Sequence, residues 1–96
     1  MSSNDFDRVT AAAIEGKIFA LLANRRAGAT ICPSEVARSL VPHHGPWREL
    51  MPQVRQVAQA LARTNRLTVT RGGATVDATS PGGPVRLGQA IRRDDP

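Results

Sequence analysis

The chain has 96 residues, which is enough for one domain with a modest hydrophobic core but not for a core together with a deep substrate cavity. Hydrophobic residues make up 41% of the chain, but only two phenylalanines and one tryptophan are aromatic, so alanine, leucine and valine must form most of the core. The net charge is +5, and residues 25–93 carry eleven arginines against three acidic residues. A basic domain of this kind favours polyanionic partners, although a GC-rich genome would also enrich arginine over lysine.

The single cysteine excludes an internal disulfide, which fits a reducing compartment. The polar, acidic N-terminus lacks the apolar segment of a signal peptide. The longest apolar stretch, residues 18–23, is too short to span a membrane. We therefore expect a cytoplasmic protein that does not associate with membranes.

The first predicted element is an amphipathic helix with Asn4 or Asp5 as its cap. Its apolar residues form one stripe at helical spacing: Ala11, Ile14, Ile18, Leu21 and Leu22. Gly16 lies on the opposite face, where a glycine costs about 1 kcal/mol relative to alanine. The helix is expected to end near residues 24–26, before Gly28 breaks it.

A short extended step and a second helix come next. Thr30-Ile31 is a candidate short strand that would add to a later hairpin. Cys32-Pro33-Ser34-Glu35 has the pattern of a helix start, with a proline in the first turn and a glutamate placed to reach back to the cap. Either Cys32 or Ser34 is the cap residue. The helix should end before Pro42.

Residues 41–46 contain two prolines and a glycine, which predicts a turn. We interpret Trp47, which follows, as a plug or lid over the helices rather than as a binding residue. Pro52 leaves two alternatives open. A helix begins at Pro46 and kinks, or residues 47–50 form a single turn and the main helix begins with Pro52 in its first position.

The third helix is predicted from Met51 to Asn65. Its core-facing residues lie within about 60° of one another on a helical wheel: Leu50, Val54, Val57 and Leu61. The opposite face carries four long polar side chains and no acid: Arg55, Gln56, Gln59 and Arg63. Glutamine can pair with adenine, and arginine with guanine or phosphate, so we interpret this face as a DNA-reading surface. An ordinary solvent-exposed face is the alternative.

A basic β-hairpin is predicted from Arg66 to Ala78, because Gly72-Gly73 supplies the positive φ of a two-residue turn. In the register that this turn sets, opposing residues are Val69 and Val76, Leu67 and Ala78, and Thr70 and Thr75. Arg71 is expected at the tip of the hairpin. Beyond it, residues 84–87 are expected to run extended against the core. The predicted domain spans residues 1–88, with a flexible tail at 89–96.

The order helix, short strand, helix, helix, hairpin is that of a winged helix, an α+β fold. Three stretches also resemble a bacterial family known only as a domain of unknown function. They are ICPSEVAR (Ile31–Arg38); Trp47-Arg48 with Leu50–Pro52 and Val54-Arg55; and Gly73, Val76-Asp77, Gly83-Pro84 and Arg86-Leu87. The resemblance implies a small winged-helix-like domain, and it implies no established activity or site residues.

Patterns typical of an enzyme or a metal site are weak. A metal site would need Cys32, His43 and His44, but adjacent histidines in a turn rarely converge on one ion and a fourth ligand is missing. Cys32 lies between Ile31 and Pro33, where a small buried residue is the more usual interpretation than a nucleophile. The glycine pairs lack the context of a phosphate-binding loop. We therefore predict a protein that is not an enzyme and uses no metal or cofactor.

Two functions remain. In the first, a transcription regulator binds duplex DNA through the 51–65 helix in the major groove and the 66–78 wing on the flanking backbone. The wing and flank contacts are predicted for Arg48, Arg66, Thr70, Arg71 and Thr75. In the second, the domain is a protein-interaction or dimerisation module without nucleic-acid binding. A homodimer with Ala58 and Ala62 in a close helix contact is a further predicted partner.

Overall fold

The computed structural model describes residues 9–41 and 45–90. Within them the chain forms three α-helices and a four-stranded antiparallel sheet, so the predicted α+β class is confirmed. The helices are α1 (Ala11–Ala23), α2 (Pro33–Leu40) and α3 (Met51–Arg63). The strands are β1 (Thr30–Ile31), β2 (Leu67–Arg71), β3 (Ala74–Thr75) and β4 (Arg86–Gln89).

The first helix begins later than the sequence suggested. Thr10 is its N-cap, and the Thr10 hydroxyl accepts a hydrogen bond from the backbone N–H of Ala13. The predicted caps, Asn4 and Asp5, lie outside the described residues. The helix ends at Ala23 with Asn24 as its C-cap, next to the predicted end near residues 24–26.

The second helix begins as its local sequence dictates. Cys32 is the N-cap, Pro33 is the first helical residue, and the Glu35 carboxylate accepts the backbone N–H of Cys32 at 2.8 Å. This resolves the choice between Cys32 and Ser34.

A single 3₁₀ turn, Trp47–Leu50, leads directly into α3, which confirms the single turn of the second alternative for Pro52. The helix begins one residue earlier than that alternative had it, so Pro52 is its second residue and not its first. The helix ends at Arg63, two residues before the predicted end at Asn65. Asn65 adopts a left-handed φ of 62°, and the next amide, Arg66 N–H, donates back to the Leu61 carbonyl at 3.0 Å. This is the Schellman geometry that terminates a helix.

The sheet has the strand order β1-β4-β2-β3, with every neighbouring pair antiparallel. The last strand, β4, therefore lies between β1 and β2. Of the expected extended run at residues 84–87, residues 86 and 87 belong to this central strand. β4 ends at Gln89, one residue after the predicted domain boundary at residue 88. Residues 91–96, most of the predicted tail, lie outside the described residues.

The hairpin is shorter than predicted. Thr70 pairs with Thr75, and Val76 N–H donates to the Val69 carbonyl at 3.0 Å, as the two-residue turn requires. The predicted pairing of Leu67 with Ala78 is wrong, because β3 ends at Thr75 and its ladder with β2 does not reach Leu67. The wing is therefore the segment of residues 72–85 that connects β2 to β4. This arrangement is compatible with a winged helix.

One core joins the helices to the sheet. Its fully buried larger side chains come from every helix and from three strands: Ile14, Ile18, Leu22, Ile31, Val36, Leu50, Val54, Val69, Val85 and Leu87. Ala58 is also fully buried, so the predicted close helix contact through this residue in a dimer is wrong. None of the helices in the described part of the chain has the length and apolar character to cross a bilayer.

Candidate nucleic-acid interface

The face of α3 that points away from the core is acid-free. Gln56 and Arg63 are exposed, and Arg55 and Gln59 are half-buried at its margin. The core side of the same helix holds Val54, Ala58 and Leu61, so packing fixes which side chains face outward. The structure therefore brings the four predicted helix-face residues together on one side of α3.

An open groove of about 500 Å³ separates the C-terminal half of α3 from the hairpin. Gln59 and Arg63 line its helix side, and Thr75 and Asp77 line its hairpin side. The groove is lined elsewhere by apolar atoms of β2, including Leu67 and Val69. Thr70, which faces Thr75 across the hairpin, is half-buried.

Gln59 also contributes a hydrogen bond to the fold. Its side-chain oxygen accepts the backbone N–H of Ala78 at 2.8 Å, which ties the chain after the hairpin to α3. Pairing with adenine uses the amide oxygen as well as the amide N–H₂ group. Gln56 has no hydrogen-bond partner among the described residues, so it is better placed than Gln59 for that contact.

Asp77 places a negative charge on the groove. Hydrogen bonds from the hydroxyl and backbone N–H of Thr79 to its carboxylate lower the pKa of Asp77, and the nearby Arg63 lowers it further. Asp77 is therefore ionised at neutral pH. The phosphate-attracting part of the interface must lie on the helix side of the groove.

Arg48 lies at the other end of α3, in the 3₁₀ turn. Its guanidinium carbon lies 4.5 Å from the centre of the Trp47 ring, and that of Arg38 lies 5.1 Å from it. Trp47 is half-buried and packs against the core, as the lid interpretation predicted. Arg38 was not among the predicted site residues, because only folding brings the end of α2 beside this turn.

Arg66 and Arg71 are engaged inside the domain. Arg66 pairs with Glu15 of α1 at 2.8 Å and lies over the Phe19 ring, which joins the end of α3 to α1. Arg71 donates to the carbonyl oxygens of Gly83 at 2.9 Å, Ser80 at 3.3 Å and Pro81 at 3.4 Å. A phosphate contact by Arg71 would have to replace these hydrogen bonds, so the predicted role at the wing tip is not part of the interface described below.

Cys32 belongs to a separate polar cluster. Arg86 of β4 donates to the Cys32 sulfur and to the hydroxyl and carbonyl of Thr30. The pKa of the neighbouring Glu35 is lowered by the Cys32 N–H and then by Arg25, with which it forms an ion pair. His43 and His44, the other members of the metal group considered above, lie outside the described residues.

Three helices and a small four-stranded antiparallel sheet define an α+β domain whose arrangement is compatible with a winged helix. The chain belongs to the family described as "Protein of unknown function (DUF3253)", which matches residues 11–90. This confirms the resemblance to a domain of unknown function. A comparison with curated proteins gives no match.

Proposed function

We propose that this domain binds duplex DNA, with the exposed face of α3 in the major groove. The observation that carries the proposal is the acid-free face itself. Arg55, Gln56 and Arg63 make no hydrogen bond or ion pair with any described residue, so their donors are available to a ligand. Most solvated helix faces mix acids with bases, and this one does not.

The dimensions fit such a role. A helix of 13 residues is about 20 Å long, and the major groove is about 12 Å wide, so α3 can lie in it with its outer face toward the bases. Gln56 would pair with a base edge, and Arg55 and Arg63 would contact guanine or phosphate. Thr75 would approach the flanking backbone across the groove beside α3. Base reading of this kind is typical of transcription regulators.

The test is binding of a labelled random-sequence duplex across a salt series. Each phosphate contact contributes a slope of about −0.9 to the plot of log affinity against log salt. We expect steep salt dependence for the native chain, and weaker binding for Arg55→Gln and Arg63→Gln with the fold intact. Arg26→Gln is the matched control, because Arg26 is exposed in the loop between α1 and β1.

Absence of binding at low salt would refute the proposal. The domain would then be better explained as a protein-interaction or dimerisation module. Light scattering at high protein concentration would test self-association directly, since a dimer doubles the scattering mass.

A further inference from the structure

Arg38, Trp47 and Arg48 form a compact cluster beside the start of α3, here called the tryptophan–arginine cluster. Both guanidinium groups lie over the same indole ring, at 5.1 Å and 4.5 Å from its centre. Both arginines are exposed, whereas Trp47 is half-buried against the core. The ring is thus held against the core, while both cationic side chains are exposed.

The cluster holds two like charges beside one ring. Glu49, which follows Arg48 in the same turn, is exposed and forms no ion pair with either arginine of the cluster. In the described part of the chain the ion pairs are Arg25–Glu35 and Arg66–Glu15, and neither involves the cluster. Arg38 donates to the hydroxyl and carbonyl oxygens of Ser34 only at 3.3 and 3.4 Å. Two guanidinium groups beside one ring repel each other, and a bound anion would reduce that repulsion.

Stacking on the indole also prepares the two arginines for binding. A guanidinium that lies over an aromatic ring gains a cation–π attraction and keeps its N–H donors directed outward in its own plane. Those donors match the oxygens of a phosphate, to which arginine binds with two parallel hydrogen bonds. Less side-chain entropy is lost on binding than for a free arginine.

The position of the cluster connects it to the proposed interface. Trp47 and Arg48 lie in the turn that runs directly into α3, so the cluster is at the N-terminal end of that helix. The acid-free face of the helix continues from there to Arg63, about 18 Å further along. A helix seated in the major groove has one of the two phosphate backbones beside its end.

We infer that the tryptophan–arginine cluster binds a phosphate of the DNA backbone and thereby fixes the N-terminal end of α3 on the duplex. This inference rests on the proposed function, because it assigns a second contact to the same complex.

It gives Trp47 a role beyond that of a lid over the core. It also adds Arg38, which no local sequence pattern connects to the site.

The experiment uses the full chain and a random-sequence duplex. Arg38→Gln and Arg48→Gln are compared with Arg26→Gln, which removes the same charge from the exposed loop between α1 and β1. Loss of a phosphate contact lowers the magnitude of the salt slope by about one. We expect that loss for each of the two cluster variants and an unchanged slope for the control. An unchanged slope for either cluster variant would overturn the inference.

Trp47 supplies an independent readout, because it is the one tryptophan in the chain and there is no tyrosine. We expect saturating duplex to shield it from acrylamide quenching, at the same concentration that saturates binding. Native protein that binds the duplex while Trp47 stays equally quenched would overturn the inference and leave the proposed function standing. Shielding by polyglutamate but not by duplex would also overturn it, in favour of an acidic protein partner. Native protein that binds no duplex would instead overturn the proposed function.

Discussion

Gly88 lies opposite Thr68 in the ladder between β4 and β2, and the two strands approach so closely that a side chain at Gly88 has no space. A Cβ atom there would lie 2.8 Å from the Thr68 hydroxyl and 3.3 Å from the Thr30 methyl group. Gly88 is buried between two strands, so these neighbours cannot move apart without disturbing the sheet.

Gly88→Ala is therefore expected to lower the free energy of unfolding by about 1–3 kcal/mol, the usual cost of overpacking. Urea denaturation measures this change. Gly16→Ala is the matched control, because Gly16 is exposed in α1 with no atom near its would-be Cβ. That change should stabilise the protein by up to about 1 kcal/mol. A Gly88→Ala variant as stable as the native protein would mean that β4 is not held between β1 and β2.

Glu35 makes the stability of the domain sensitive to acid. Its folded-state pKa is lowered from 4.5 by the Cys32 N–H and by Arg25, so the folded state binds the proton less readily than the unfolded state. The stabilisation is present above the unfolded pKa and is lost as the pH falls through the folded value. We expect the free energy of unfolding to decline below about pH 4.5, and Glu35→Gln to show a smaller decline. Urea denaturation at neutral pH and at acid pH checks this, and an equal decline in both proteins would contradict it.

Substitution of Arg71 should affect the stability of the domain, and substitution of Arg63 should affect DNA binding. Arg71 holds the carbonyls of the wing loop, so Arg71→Gln is expected to cost about 1–3 kcal/mol of unfolding free energy while the salt slope of DNA binding stays unchanged. Arg63 is exposed at the groove, so Arg63→Gln should lower the slope and leave stability unaltered. If Arg71→Gln lowers the slope by about one instead, the arginine contacts phosphate as the sequence suggested.

Asp77 should weaken DNA binding, because it is ionised on the hairpin side of the groove. Asp77→Asn removes that charge, and asparagine can still accept the Thr79 N–H in the same turn. We expect affinity for random duplex DNA to rise by up to about fivefold at low salt, with stability at neutral pH largely retained. Unchanged or weaker binding would show that the duplex does not approach this side of the groove.

Features controlled by neighbouring residues could be predicted from the sequence. The start of α2, the single turn before α3 and the Thr70–Thr75 pairing all follow from capping or turn chemistry within a few residues. The place of β4 could not be predicted, because its partners β1 and β2 are distant in the chain and sheet pairing carries no local signal.

The candidate site could likewise be predicted only in part. The outward face of α3 follows from helical spacing, so the side of the helix that carries Arg55, Gln56 and Arg63 could be predicted. The hydrogen bonds that Gln59, Arg66 and Arg71 form within the domain could not be predicted, because their partners lie elsewhere in the fold. A helical wheel shows the direction in which a side chain points from its helix, but not which residues pack against it in the folded domain.

The central claim is that duplex DNA binds along the outer face of α3. The most direct measurement is a ¹H–¹⁵N correlation spectrum of the native chain, recorded as a random-sequence duplex is added. We expect the amide shifts to concentrate in residues 47–63 and at Thr75, with α1 largely unaffected. Shifts confined to α1 or to the β1 edge, or no shifts at low salt, would contradict the claim.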